Sequence, residues 1–355
     1  MSRQTRDEKY VIGEYPFDKK LINKMKKKTS KIKKEGKKYP DMQDLSNYHL
    51  HLDVNEAQME GLFTALCRGE NIRIPKMDID MKCQYLHYFN PYLHLGPFKI
   101  ETKNHAPFVA IFRDFMTENE IKTFIKEASP NLFRSMHAKK GNNQKSFGSS
   151  SYVRTSKQSW IKEDEIPKKY ESTDDGTTLK VWLATKVSRR IQNATLMNVF
   201  TENGGEAFQV ANYGMAGQYS SHYDSAAGLH TPFEYMHMGD RVQTFMAYLS
   251  DVEAGGATVF PYLGISVWPK KGDAITWYNV DKNIFRRDHL SLHGSCPIIK
   301  GSKWITNKWI RHFAQSFNFP CEKNEEFSRL KPLENDICNV IPSCKPRFRF
   351  GYFTK

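Results

Sequence analysis

The sequence predicts an α+β fold, a double-stranded β-helix (jelly roll) core flanked by helices. Three observations carry that expectation. Segments of helical periodicity lie mostly in the first half, strand-like segments dominate from about residue 206 to residue 311, and no apolar run reaches the ~18 residues of a membrane span. With 355 residues, 39% of them apolar and 13% aromatic, the chain is long enough to bury one large core and carry appendages.

The segment from Val54 to Gly69 reads as a helix, because Met59, Leu62, Phe63 and Leu66 recur on one face and Gly69 follows as a stop. Residues 71–107 hold four prolines and read as an irregular connector. Phe108 to Phe112 is a short apolar run and reads as a buried strand. Thr117 and Glu120 then form a capping box, followed by Ile121, Phe124, Ile125 and Ala128 at helical spacing. Residues 131–161 read as a hairpin with a polar tip.

Leu179, Trp182, Leu183, Val187 and Ile191 mark a further amphipathic helix. After it come the strands: Ala207 to Tyr213, Val242 to Leu249, Ala257 to Pro261, Ile265 to Trp268, Ala274 to Tyr278 and Lys303 to Arg311. The chain divides on this reading into a basic, disordered tail (1–45), a helix with its connector (46–106), the core domain (107–322) and a carboxy-terminal tail (323–355).

Charge is concentrated at one end. Residues 1–40 hold 14 Lys and Arg against 5 Asp and Glu, so the tail supplies +9 of the net +14. A lysine run attracts nucleic acid or an anionic membrane, but it also describes a solvated arm. No aromatics interleave the lysines to stack on bases, which argues against nucleic acid as the partner.

The chemistry gathers in the second half. His222 and Asp224 stand two positions apart, so on an extended strand both side chains leave one face. His293 follows far along the chain, at a distance suited to crossing a β-sandwich and returning. Two imidazoles and one carboxylate make the facial triad of non-haem Fe(II) oxygenases, with positions left open for a chelating co-substrate and O₂. Twelve histidines and 39 acidic residues make a His-x-acid spacing commonplace, so context has to carry this reading. Ten residues after His293, Lys303 opens a strand that places Lys303, Ile305, Asn307 and Trp309 on one face. An ammonium group on an inward face is costly unless an anion meets it, and a metal-chelated dicarboxylate supplies one.

Four runs supply the context: QVANYGMAGQYSSHYD (209–224), GDRVQTFMAYLSDVEAGGATVFP (239–261), VWPKKGDAITWYN (267–279) and LHGSCPIIKGSKWITNKWI (292–310). In order and spacing they resemble the catalytic domain of the collagen prolyl 4-hydroxylase α subunit, with weaker likeness back to about residue 60. The resemblance implies hydroxylation of peptidyl proline at C4, with O₂ and 2-oxoglutarate giving succinate and CO₂. It implies Fe(II) on His222, Asp224 and His293, and the distal carboxylate of 2-oxoglutarate on Lys303. Tyr213, Thr258 and Trp309 are placed beside 2-oxoglutarate, and Tyr219 and Arg241 toward the prolyl residue. L-ascorbate is the implied rescuer of oxidised iron, and a collagen-like or other proline-rich peptide the implied substrate.

Two departures touch the substrate side: Ser220-Ser221 stand where the family commonly has an acid-proline pair, and Phe245 where it has Trp. The family also carries dimerisation and peptide-binding domains before the segment at Cys67, where this chain has a lysine-rich tail. That puts the family's assembly with protein disulfide isomerase in doubt. The resemblance implies bridges Cys67–Cys83 and Cys296–Cys321, leaving Cys338 and Cys344 unassigned. It also implies the endoplasmic reticulum lumen, and Asn193-Ala194-Thr195 is a sequon compatible with glycosylation there. Against that compartment, residues 1–20 lack the apolar core of a secretory leader. A reading from another class, a non-catalytic module docking through its basic tail, leaves the metal ligands and the inward lysine without a physical reason.

Overall fold

In a computed structural model of the chain the described residues are 56–73, 77–79, 81–88, 90–135, 154–163, 177–201, 204–225, 239–280 and 287–315. Expectations for the two tails, for the hairpin tip and for Cys338 and Cys344 fall outside them.

Two sheets face each other. The larger has nine strands: β1 (Cys83–Leu86), β2 (Phe98–His105), β3 (Phe108–Arg113), β4 (Phe133–Arg134), β5 (Lys157–Ile161), β6 (Phe208–Tyr213), β8 (Arg241–Tyr248), β12 (Ala274–Tyr278) and β15 (Lys303–Arg311). Their order across the sheet is β1-β2-β3-β12-β8-β15-β6-β5-β4. The smaller sheet holds β7 (Tyr219–His222), β10 (Thr258–Phe260), β11 (Ile265–Val267) and β13 (His293–Ser295), in the order β11-β10-β13-β7. A two-stranded ribbon of β9 (Ala254–Gly255) and β14 (Ile298–Lys300) lies apart from both sheets. Among the described residues the α-helices are α1 (Glu56–Cys67), α2 (Pro91–Leu95), α3 (Glu118–Ala128) and α4 (Thr177–Thr195).

Strand alternation sorts the core into two layers. On β8, Met246 and Tyr248 point between the sheets, where they join Tyr213, Phe260, Trp277 and Ile305. Phe245 and Ala247 point the other way, to Phe124, Val187, Ile191 and Phe208 beneath α3 and α4. The strand β15 obeys the same rule, with Ile305 between the sheets and Ile310 under the helices.

The capping box of α3 forms as expected. Thr117 Oγ1 accepts from the Glu120 amide, and Glu120 accepts from the Thr117 amide. Glu120 also reaches Arg190 of α4 through two bonds of 2.7 and 2.8 Å. The Arg190 guanidinium and the Thr117 backbone hold the Glu120 carboxyl below its ordinary value, against burial that pushes it up.

Three expectations are corrected. The segment 71–107 is not irregular: β1 pairs with β2, and β2 pairs with β3. The signal was present, since Ile100, Thr102 and Asn104 point inward while Lys99, Glu101 and Lys103 alternate with them, but the flanking prolines obscured it. Cys67 does not pair with Cys83. It bridges to Cys296, with 5.4 Å between Cα atoms, which overturns the implied Cys296–Cys321 bridge as well, and Cys83 is an exposed free thiol. The reason is helix packing: α1 buries Leu66 against Ala257, Val259 and Cys296, so the last residue of the helix arrives beside Cys296. Cys83 opens β1, at the far edge of the larger sheet.

Candidate metal centre and anion site

The two histidines meet through strand register. β7 and β13 run antiparallel with His293 opposite His222, so residues distant in sequence become cross-strand neighbours. Gly294 permits that approach, because a Cβ there would lie 2.7 Å from the Phe63 ring and 2.8 Å from the Tyr219 carbonyl. Asp224 lies just past the end of β7, in a bend instead of on the strand. Its carboxylate nevertheless converges: His222 Nε2 stands 3.8 Å from Oδ1 and His293 Nε2 stands 3.7 Å from Oδ2. All three donor atoms lie within 4.8 Å of one another.

The tautomers suit a cation. His222 Nδ1 donates to the Ser220 carbonyl and His293 Nδ1 to the Ser291 carbonyl, each at 2.9 Å. Both Nε2 lone pairs are thereby free to face Asp224. Burial, followed by repulsion from His293, pushes His222 down to about 3, so it is neutral near pH 7. Burial would raise Asp224, but the neighbouring imidazoles, Arg241 and the Thr244 hydroxyl hold it low and ionised. A neutral His222 and an ionised Asp224 are donor states that a divalent transition-metal ion requires. The residues present therefore fit a non-haem iron.

Lys303 sits in the same layer, 1% exposed. Its ammonium donates to Ser295 Oγ at 3.0 Å and Thr258 Oγ1 at 3.2 Å, with the Tyr213 and Tyr248 rings 5.9 and 5.6 Å away. Among the described residues no carboxylate pairs with it. Burial alone pushes its pKa down to about 7. A cation so placed is a seat for an anion.

The other expected residues take distinct places. Tyr213 and Thr258 stand at Lys303. Trp309 lines the metal side, donating its indole N–H to Asp224 Oδ2 at 2.8 Å. Tyr219 stacks on His222, with ring centroids 3.6 Å apart. Arg241 lies 3.7 Å over the Trp309 ring and grips Glu206 through two bonds of 2.5 and 2.7 Å.

Sequence reasoning missed Tyr248, whose hydroxyl donates to Thr258, and Ser295, which faces Lys303. Strand alternation on β8 would have flagged Tyr248. It also missed Arg154, 7% exposed and 4.7 Å over the Tyr219 ring, which no local pattern singles out. A separate cavity of about 440 Å³, with Gly69, Cys83, Glu101 and Trp268 in its walls, includes none of these residues.

Comparison with known proteins adds an independent line. Residues 208–311 match the family described as the 2OG-Fe(II) oxygenase superfamily. The chain is 36% identical over 268 residues to prolyl 4-hydroxylase subunit alpha-2 of Gallus gallus, covering 74% of this chain and 46% of that protein. Against subunit alpha-1 of Homo sapiens it is 35% identical over 266 residues, covering 74% and 46%. The chain thus spans about half the length of these curated relatives. A solved structure of a viral collagen prolyl hydroxylase from Paramecium Bursaria Chlorella virus-1, in its 2OG complex, is 24% identical, covers 57% of this chain and 95% of that one, and gives a TM-score of 0.41.

Proposed function

From the premise that residues 208–311 belong to the 2OG-Fe(II) oxygenase superfamily, within a longer stretch related to prolyl 4-hydroxylase α subunits, we propose that this chain is an Fe(II)- and 2-oxoglutarate-dependent prolyl 4-hydroxylase. The observation that carries the reading is the pairing of a two-histidine, one-carboxylate cluster with a buried ammonium group that has no carboxylate partner among the described residues. A metal seat alone fits many activities. A metal seat with a buried cation in the same core layer fits a dicarboxylate that chelates the metal at one end.

His222, Asp224 and His293 would hold the iron, which supplies the activation of O₂ for C–H hydroxylation. Lys303 neutralises the distal carboxylate of 2-oxoglutarate, while Thr258 and Ser295 fix the direction of its ammonium. Tyr213 and Tyr248 wall that end and keep water from the ion pair, which strengthens it. Tyr219 and Arg154 form a cation-backed aromatic surface beside His222, suited to a prolyl ring and the backbone carbonyls next to it. L-ascorbate would be the reductant that keeps iron held by His222, Asp224 and His293 in the ferrous state. The Cys67–Cys296 bridge supports an oxidising compartment such as the endoplasmic reticulum lumen.

The substrate is a collagen-like or other proline-rich peptide. Succinate release that depends on peptide, measured across (Pro-Pro-Gly) repeats, other proline-rich peptides and lysine-bearing controls, tests this directly. Stimulation by proline-rich peptides with 4-hydroxyproline in the product is the expected result. Stimulation only by peptides without proline would keep the chemistry and remove the substrate assignment.

A further inference from the structure

We propose that Thr244 and Asn279 are a positioning pair that orients the Asp224 carboxylate by occupying one of its two oxygens, leaving Oδ1 as the oxygen offered to the cation. This rests on the reading of His222, Asp224 and His293 as a metal seat.

The argument is one of hydrogen-bond capacity. Asp224 Oδ2 receives two donors, Thr244 Oγ1 at 2.7 Å and Trp309 Nε1 at 2.8 Å. An indole N–H can only donate. A threonine hydroxyl can donate or accept, but here its direction is set from behind: Asn279 Nδ2 donates to Thr244 Oγ1 at 2.8 Å. With that amide donor occupying its acceptor side, the single hydroxyl proton of Thr244 is aimed at Asp224. Both lone pairs of Oδ2 are therefore used by protein donors, and Oδ1 keeps its own.

The supports are rigid. Thr244 is 1% exposed on β8, between β12 and β15, and Asn279 is fully buried just after β12. The Asn279 backbone N–H donates to the Val242 carbonyl at 2.9 Å, tying the amide to the same strand as Thr244. Thr244 on β8 and Asn279 just past the end of the neighbouring β12 are thus both anchored to the larger sheet, while the histidines belong to the smaller one. Thr244 and Asn279 carry the rigidity of the larger sheet to a ligand that stands in a bend beyond the end of its own strand.

The test is Co(II) binding to the whole chain without 2-oxoglutarate or peptide, read by titration and by the d–d absorption of the bound ion. Thr244→Val keeps the shape and removes the hydroxyl. It is expected to weaken Co(II) affinity about 10- to 100-fold and to shift the absorption, with Thr244→Ser restoring both. Asn279→Ala should cost less alone and nothing further in the Thr244→Val background, because it acts through that hydroxyl. Wild-type affinity and spectrum in Thr244→Val overturn the assignment, as does full additivity of the two substitutions. If Thr244→Val fails to reach a wild-type circular dichroism spectrum, Asn279→Ala carries the test, and an unchanged affinity and spectrum there overturn it. Wild-type protein that binds no more Co(II) than His222→Ala overturns the metal seat itself and this assignment with it.

Discussion

Lys303 and Lys308 lie five residues apart on β15, point to opposite faces and are 1% and 0% exposed. Lys308, under the helices, meets Glu163 Oε2 at 2.9 Å, and that carboxylate also accepts from the Thr201 amide and hydroxyl. Lys303, between the sheets, meets hydroxyls and aromatic rings. The first cation has its counter-charge built into the fold. The second, on the proposed reading, awaits a charge from outside, so a buried lysine is informative through its partner and not through its burial.

The largest effect should come from splitting the built-in pair. Glu163→Ala strands a buried ammonium and is expected to cost about 3–5 kcal/mol, whereas Lys308→Met with Glu163→Met should cost far less. Thermal or urea unfolding checks this, and equal losses would show that the pair is not what stabilises that face.

Lys303→Met should behave in the opposite way. It removes a buried cation that has no carboxylate partner among the described residues, so the ligand-free protein should unfold at the same temperature as wild type or higher. Affinity for 2-oxoglutarate should fall by about 1.5–3 kcal/mol, the range for a hydrogen bond to a charged group, or roughly 10- to 150-fold. Calorimetry on Mn(II)-loaded protein reads both effects.

The same contrast predicts a pH dependence. Lys303 titrates at about 7 in the free protein, and a bound carboxylate raises that value. Above pH 7 binding must therefore take up a proton, and affinity should decline as pH rises. Titrations in buffers of different ionisation enthalpy should show proton uptake at pH 8 and little at pH 6.

The smallest effect concerns Glu120, whose folded pKa is depressed through Arg190. Its contribution is present above the ordinary glutamate value of 4.5 and is lost as pH falls through the lower folded value. Glu120→Gln should remove about 1–2 kcal/mol at pH 7 and nothing at pH 2. A difference that persists in acid would assign the loss to packing.

Legibility in the sequence followed the locality of each cause. The α3 cap, β12 and β15 were readable because a capping box and period-two alternation are local. Lys303 was readable from its face on β15. The register that sets His293 against His222 is a long-range pairing, so the motif had to stand on resemblance and spacing. Tyr248 was within reach of the alternation on β8, but nothing local sets Arg154 or Ser295 apart, because their partners are brought to them by the fold. The Cys67–Cys296 bridge depends on where α1 docks, which cysteine spacing does not encode.

The central claim is that the triad and Lys303 act together on one dicarboxylate. Its most direct measurement is anaerobic titration of 2-oxoglutarate into Fe(II)-loaded wild type, Lys303→Met and the Lys308→Met, Glu163→Met double variant. Binding at one site in wild type and the double variant, dependent on the metal and lost or sharply weakened in Lys303→Met, is the predicted result. Equal binding by Lys303→Met, or binding indifferent to the metal, would contradict it.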